Sequence, residues 1–341
     1  MKHSSALALL ITLFFAVGAA TTLRAQPRTG QVVQETDDEY KVTTYKKFVD
    51  NWEANPGVAY QAAKDYMARY NKEDDQYTRY LKEWIKAYET EERNRRVAAE
   101  KADREQQLLG SFTQKDFAKA YGMAKQVLAD NPEDLRVLIA LGYGAFAAST
   151  ESRNEAYNAD AAKYADKAVQ LIESGKTPAT DAPGQSPWAP FKSKEDVLGS
   201  LQFAMGYYAL KPSPETAVPH FIKAAQVDEE RRKVPATYYY LAASYQTGPY
   251  KKLSDEFSKR FANQPESPES KAALDNINKV VDKMIDAYAR AVALAGNEPQ
   301  QQTAKGQWMA QLTNFWKFRH ENTDTGLADY ITGVLKTPLP Q

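Results

Sequence analysis

The chain has 341 residues with 44 basic and 44 acidic side chains, 43% hydrophobic residues and no cysteine. That balance carries no electrostatic footprint for nucleic acid or for an anionic membrane. The missing thiol excludes disulfides, cysteine nucleophiles, Cys/His zinc sites and the acylated cysteine of a bacterial lipoprotein.

Residues 1–25 carry Lys2 and His3, an apolar run from Ala6 to Val17, then small residues ending Thr22-Leu23-Arg24-Ala25. This order reads as a secretory signal peptide. An uncleaved anchor is the competing reading, but the apolar run spans 12 residues where a membrane-crossing helix needs about 20. Cleavage is expected after Ala25, with Ala20 as the other candidate, leaving two more acids than bases. The mature chain is expected to be periplasmic or secreted, not a lipoprotein and not inserted in a membrane. Residues 26–37 read as a flexible linker.

Beyond the leader, strand-like alternation is nearly absent; Val32-Val33 and Val42-Thr43 are its best cases. Helical periodicity runs through the rest. Helices are predicted near 38–54, 57–70, 74–107, 113–129, 132–149, 156–174, 194–211, 214–230, 235–246, 251–262, 269–295 and 301–319. Within 57–70, Val58, Ala62, Tyr66 and Tyr70 recur at i+4 spacing. Within 279–294, Val280, Met284, Ile285, Tyr288, Ala291 and Leu294 form one apolar stripe that needs a covering neighbour. The basic run Arg93 to Arg96, beside Glu91 and Glu92, reads as a solvated helix face.

Several starts carry capping signals. Thr113 with Asp116 and Ser193 with Asp196 have capping-box spacing. Asn131-Pro132-Glu133-Asp134, Ser213-Pro214-Glu215 and Ser267-Pro268-Glu269 each place a capping side chain before a helix-first proline. Pro219 falls inside the helix that Ser213 opens, so an irregular or kinked first turn is expected there.

The helices also repeat. Ala120, Leu128 and Pro132 close one pair; Leu138, Leu141 and Gly142 open the next, whose second helix carries Ala161, Ala165 and Ala168. Met205 and Gly206 open another, closed by Ala217, Phe221 and Ala224, and Leu241, Ala242 and Tyr245 open one more. Its return helix is read as the one holding Met284, Tyr288 and Ala291. On these residues the chain resembles tetratricopeptide-repeat proteins, built from helix pairs of about 34 residues with small residues at the crossing. The resemblance covers 113–296, with a loop insertion at 175–193; residues 38–112 match by helical pattern only. It implies an all-α fold of stacked antiparallel helix pairs in a right-handed superhelix, a solenoid closed by a C-terminal capping helix and tail over 297–341. A compact helical domain whose apolar pattern merely coincides with the repeat is the alternative.

Loop 175–193 holds Pro178, Pro183, Gly184, Pro187 and Pro190, so it is not helical throughout. Its Trp188 and Phe191 either pack back onto the array or form a recognition knob. Trp308, Leu312, Phe315 and Trp316 form a stripe that seals the last repeat or binds a partner helix. Residues 337–341 are expected to be extended and mobile.

The residue inventory points away from catalysis. Beyond the leader the histidines are His220 and His320, and no His-Glu-x-x-His occurs. Gly184-Gln185-Ser186 lacks the second glycine of a nucleophile elbow. Gly175-Lys176-Thr177 imitates the end of a phosphate-binding loop, but Gln170 stands where the first glycine belongs, so it reads as a helix stop. His320-Glu321 reads as a surface C-cap. The acidic groups Asp37-Asp38-Glu39, Glu73-Asp74-Asp75 and Asp228-Glu229-Glu230 fall at helix ends, where caps and solvated acids are ordinary. No cofactor and no metal are expected. In tetratricopeptide proteins the first helix of each pair lines a concave groove, and transfer along the matched small positions places Arg136, Tyr143, Phe146, Phe203, Tyr207, Lys211, Tyr239 and Gln246 there. Each set has helical spacing; the same residues read equally as inter-repeat core. The asparagine that the family's carboxylate clamp needs after the small position is replaced by Tyr143 and Tyr207, so acidic chaperone tails are not implied. The expected function is a non-catalytic, exported adaptor or scaffold for protein or peptide segments. The alternatives are an aromatic-lined binder of glycans or small polymers and, third, a helical hydrolase with paired carboxylates.

Overall fold

The computed structural model describes residues 36–180, 184–296 and 298–340. The expected signal peptide over 1–25 and the expected linker as far as residue 35 lie outside the described residues. The described chain is all-α, and no strand occurs in it.

The helices are α1 (Asp37–Asn51), α2 (Pro56–Tyr70), α3 (Gln76–Thr113), α4 (Phe117–Asp130), α5 (Leu135–Glu151), α6 (Asn158–Glu173), α7 (Lys194–Ala209), α8 (Pro214–Val227), α9 (Glu229–Arg232), α10 (Pro235–Tyr245), α11 (Lys251–Phe261), α12 (Pro268–Leu294), α13 (Pro299–Arg319) and α14 (Leu327–Gly333). The chain divides into two compact units, the first ending at Asn94 and the second starting at Arg95. This differs from a boundary near 112. The change falls inside α3, where residues 93–103 are exposed on every side and no apolar face remains to hold a core together.

The first unit closes α1, α2 and the start of α3 around Phe48, Ala59, Ala62, Ala63, Tyr66, Tyr70 and Leu81. Thr36 caps α1 in a reciprocal box with Glu39. The i+4 register of Ala62, Tyr66 and Tyr70 buries all three, whereas Val58 stays 43% exposed.

In the second unit successive helices pack as neighbours: α4 on α5, α5 on α6, α7 on α8, α10 on α12, and α12 on α13. Contacts of α6 with α7 and of α8 with α10 join one pair to the next. The small residues do what their size allows. A Cβ on Gly142 would lie 2.8 Å from the Ala165 backbone, and one on Gly206 would lie 2.9 Å from the Phe221 ring. Ala242 is fully buried beside Met284 and Tyr288, so α10 takes α12 as its partner and passes over α11. Tyrosine hydroxyls tie the stack together: Tyr121 donates to the Leu141 carbonyl, and Tyr208 donates to the Gly142 carbonyl at 2.9 Å. Burial pushes the Tyr208 phenol well above its usual range, so it stays a neutral donor.

Several local expectations need correction. Thr113 ends α3, and Asp116 is itself the cap of α4, accepting from the Lys119 N–H at 3.0 Å. Asn131 ends α4; the cap of α5 is Asp134, which accepts from Val137 N–H at 3.1 Å. An acid able to reach the N3 amide from inside the turn wins over the amide three residues earlier. Ser193 caps α7, but Asp196 reaches back to the Lys192 N–H rather than to that of Ser193. Ser213 precedes Pro214 without a side-chain cap, whereas Ser267 forms a full box with Ser270. Pro219 is accommodated in an unbroken α8, whose first turn is tightened by an i→i−3 bond from Thr216 N–H to the Ser213 carbonyl. The helix stop at Gly175 has the two bonds of a Schellman turn, Lys176 N–H to Leu171 and Gly175 N–H to Ile172, with Gly175 at φ +92°.

Besides the four-residue α9, two elements were absent from the sequence expectation. One π-helical turn, Gln246–Tyr250, carries α10 into α11 without a loop. Pro249 has no N–H for the Tyr245 carbonyl, and the wider turn absorbs that loss. The other is α14, followed by a short 3-10 turn over Val334–Lys336. Thr337 is extended, as expected, but the tail is pinned. Arg290, paired with Asp286 at 2.6 Å in the core, also donates to the carbonyls of Thr337 and Pro338 at 3.0 Å. Leu339 packs against the main core beside Trp308 and Tyr239.

Candidate binding face

The second unit carries a continuous line of aromatic rings, each touching the next. Phe191 stands edge-on to Tyr143 at 5.6 Å between centroids, Tyr143 is tilted on Phe146 at 5.7 Å, and Phe146 meets Tyr207 edge-on at 5.1 Å. Tyr207 meets Tyr240 edge-on at 5.6 Å, Tyr240 touches Tyr239 at 5.2 Å, and Tyr239 stacks on Trp308 at 5.3 Å. The tyrosines and Phe146 come from α5, α7 and α10, the opening helices of successive pairs, because i, i+3 and i+4 positions share a helix face. Every ring of the line is half-buried: fixed at its root by the core, open at its outer edge.

The sequence-selected residues fall into three groups. Tyr143, Phe146, Tyr207 and Tyr239 lie on this line. Phe203 does not belong to a groove: it is 2% exposed, wedged between Phe146 and Phe221, and is core. Arg136, Lys211 and Gln246 are occupied within the protein: Arg136 is paired with Glu105, Lys211 with Glu155 at 2.5 Å, and Gln246 accepts from the Tyr288 hydroxyl at 2.7 Å. Tyr240 and Trp308 complete the line and were not selected. Tyr240 follows Tyr239 directly, and Trp308 lies on α13, outside the stretch matched to the repeat, so spacing within a repeat finds neither.

Two cavities flank the line. One, of about 550 Å³, lies between α5 and the loop 184–191, with walls of Phe112, Ile139, Tyr143, Trp188 and Phe191. Trp188 and Phe191 therefore pack back toward the array. The charged side chains on its wall are partnered, Lys115 with Glu151 at 2.6 Å and Arg136 with Glu105. The other, of about 700 Å³, is bordered by Tyr207, Lys211, His220 and Tyr240. Burial holds the His220 imidazole below its ordinary 6.5, with Lys223 adding to the effect and Asp166 opposing it; its Nδ1 lies 2.8 Å from Gln202 Oε1.

One cation on this side of the molecule was missed. Arg231, on α9, has its guanidinium 4.9 Å from the Phe203 ring centroid and 6.0 Å from that of Tyr143. Its Nη2 donates to the Tyr143 hydroxyl at 3.2 Å and to Ser200 Oγ at 2.9 Å.

The acidic groups raised by the sequence take structural posts. Glu39 caps α1, Asp37 accepts from the Tyr70 hydroxyl, and Glu73 and Asp75 share Lys41. Asp228 accepts from the N–H groups of Glu230 and Arg231 at the start of α9. Among the described residues no group of three or more His, Asp or Glu side chains could hold a metal ion. His320 ends α13 and stacks on Trp316 at 4.0 Å. Among the described residues no helix is long and apolar enough to cross a membrane. Set against known protein families, characterised proteins and solved structures, the chain finds no match.

Proposed function

We propose that this chain is an exported, non-catalytic helical-repeat adaptor, tetratricopeptide-like in build, which holds a segment of a partner protein along its aromatic line. The observation that carries the reading is the continuity of that line across α5, α7, α10 and α13. Tyrosine and tryptophan held at the root offer large contact area at little entropic cost and dominate the energetics of protein interfaces. Export rests on residues 1–25 alone. A glycan-binding platform would present flat, open ring faces, whereas most rings here meet a neighbour's edge. The peptide reading is preferred on that ground.

The test is selection of peptides from a random displayed library on the wild-type chain, followed by affinity measurement on a Tyr143→Ala, Tyr207→Ala, Tyr239→Ala triple variant. Circular dichroism confirms that both are folded. Loss of affinity of tenfold or more in the variant, roughly that of one lost hot spot, supports the face. Equal affinity removes it from the function, and retention of oligosaccharides with no peptide selected would replace the adaptor by the glycan binder.

A further inference from the structure

The one cation held among the rings has no acidic partner. Among the described residues no carboxylate comes within ion-pair distance of Arg231, although Lys192 and Lys233 close by have Glu230 and Glu229. Nη2 is fixed by Tyr143 and Ser200, and Cζ lies 4.9 Å from the Phe203 ring centroid. Nε and Nη1 make no hydrogen bond, yet neither is a buried orphan, so each keeps some contact with solvent. A guanidinium stripped of part of its water and immobilised, with N–H groups on Nε and Nη1 left over, can donate a charge-assisted hydrogen bond to an anion. Asp228, three residues before Arg231, spends its oxygens on the N–H groups of Glu230 and Arg231 and packs against Gly199.

We propose that Arg231 reads an acidic side chain, an internal Asp or Glu, of the extended partner segment that lies along the aromatic line. This rests on the peptide-binding reading above. Charge selects the ligand: one open cation balances a carboxylate, whereas a phosphate of nearly two charges needs a second cation, and Arg136, Lys192 and Lys211 already have carboxylate partners. Position selects an internal residue over a chain terminus. Arg231 touches Tyr143, with Phe191 on one side and Phe146, Tyr207, Tyr240, Tyr239 and Trp308 on the other, so a chain lying on the line continues past it in both directions.

The test uses the full chain and three matched arrays of short peptides rich in aromatic and proline residues, differing only at a central position that is Glu, Gln or phosphoserine. Wild type is expected to bind the Glu array about tenfold more tightly than the Gln array, the worth of one charge-assisted hydrogen bond, with phosphoserine no better than Glu. In Arg231→Gln the Glu-to-Gln ratio falls to about one, and in Arg231→Lys, which keeps charge without the fork, it lies between. Equal binding of Glu and Gln peptides by wild type overturns the assignment without any variant, as does a ratio that survives Arg231→Gln. Preference for phosphoserine overturns the carboxylate. Peptide binding with no Glu preference leaves the adaptor standing, whereas no binding to any array removes both proposals.

Discussion

In the unit that ends at Asn94, Phe48 and Tyr66 are 2% and 1% exposed, and Tyr45, Tyr80 and Trp84 close over them. In the unit that starts at Arg95, rings of the same kinds are strung along one side of successive helices, each half-buried. The difference lies in what surrounds the rings. Around Phe48 the neighbours on α1 and α3 include Tyr45, Tyr80 and Trp84, so rings pack on rings inward, edge to face at 4.9 Å with Trp84, against the alanines of α2. Along the line the positions beneath are Gly142, Ala145, Ala204, Gly206 and Ala242. Small residues bring the helix pair together and leave the large side chain on the same helix to stand outward. Tyrosine content alone therefore says nothing about binding; whether other rings cover it decides.

The comparison breaks most sharply on Phe48→Ala. Removing a fully buried ring costs about 3–5 kcal/mol, and amide exchange over α2 should speed up accordingly. Tyr207→Ala on the line leaves half of its contacts to water and should cost about 1 kcal/mol. Similar costs at the two sites, measured by local hydrogen exchange, would mean that the line is core.

That contrast also marks how far the sequence could be read. The all-α class and nearly every helix were legible, because a 3.6-residue apolar stripe survives without knowledge of its partner. Gly142 and Gly206 were legible as close approaches, since nothing larger fits. Phe203 was misassigned because it shares the spacing of Tyr207 and differs only in being covered by Phe221 and Tyr240, a fact of tertiary packing. Arg231 was illegible for a related reason: the sequence shows Asp228-Glu229-Glu230-Arg231-Arg232-Lys233 as a balanced charge run, and only the folded turn sends the acids elsewhere. The caps at Asp116 and Asp134 were missed by three residues because several capping side chains compete within one turn.

A smaller effect sharpens the role of the small residues. In Gly206→Ala the new methyl would sit 2.9 Å from the Phe221 ring, which is stacked on Tyr240 at 5.9 Å. Overpacking of this kind costs about 1–3 kcal/mol, read as a lower unfolding midpoint. Because Phe221 packs on Tyr240 and Phe203, a shift of its ring reaches the line, and peptide affinity should fall as well. A variant that loses stability and keeps full affinity would separate the line from the packing beneath it.

The smallest expected effect is on pH, at His220 in the cavity bordered by Tyr207 and Tyr240. Burial keeps the folded imidazole below 6.5, so as pH falls the unfolded chain takes up the proton first. The stability carried by the neutral ring is complete above 6.5 and declines below it, until the folded imidazole also protonates. Wild type should therefore lose more thermal stability between about pH 7.5 and about pH 5.5 than His220→Gln, in which the titration is gone. The imidazole resonance that disappears in His220→Gln should have its midpoint below 6.5 in the wild-type spectrum. A midpoint at or above that value would mean that water reaches the ring freely, and the cavity wall next to Tyr207 would then be as open as the outer edge of the aromatic line.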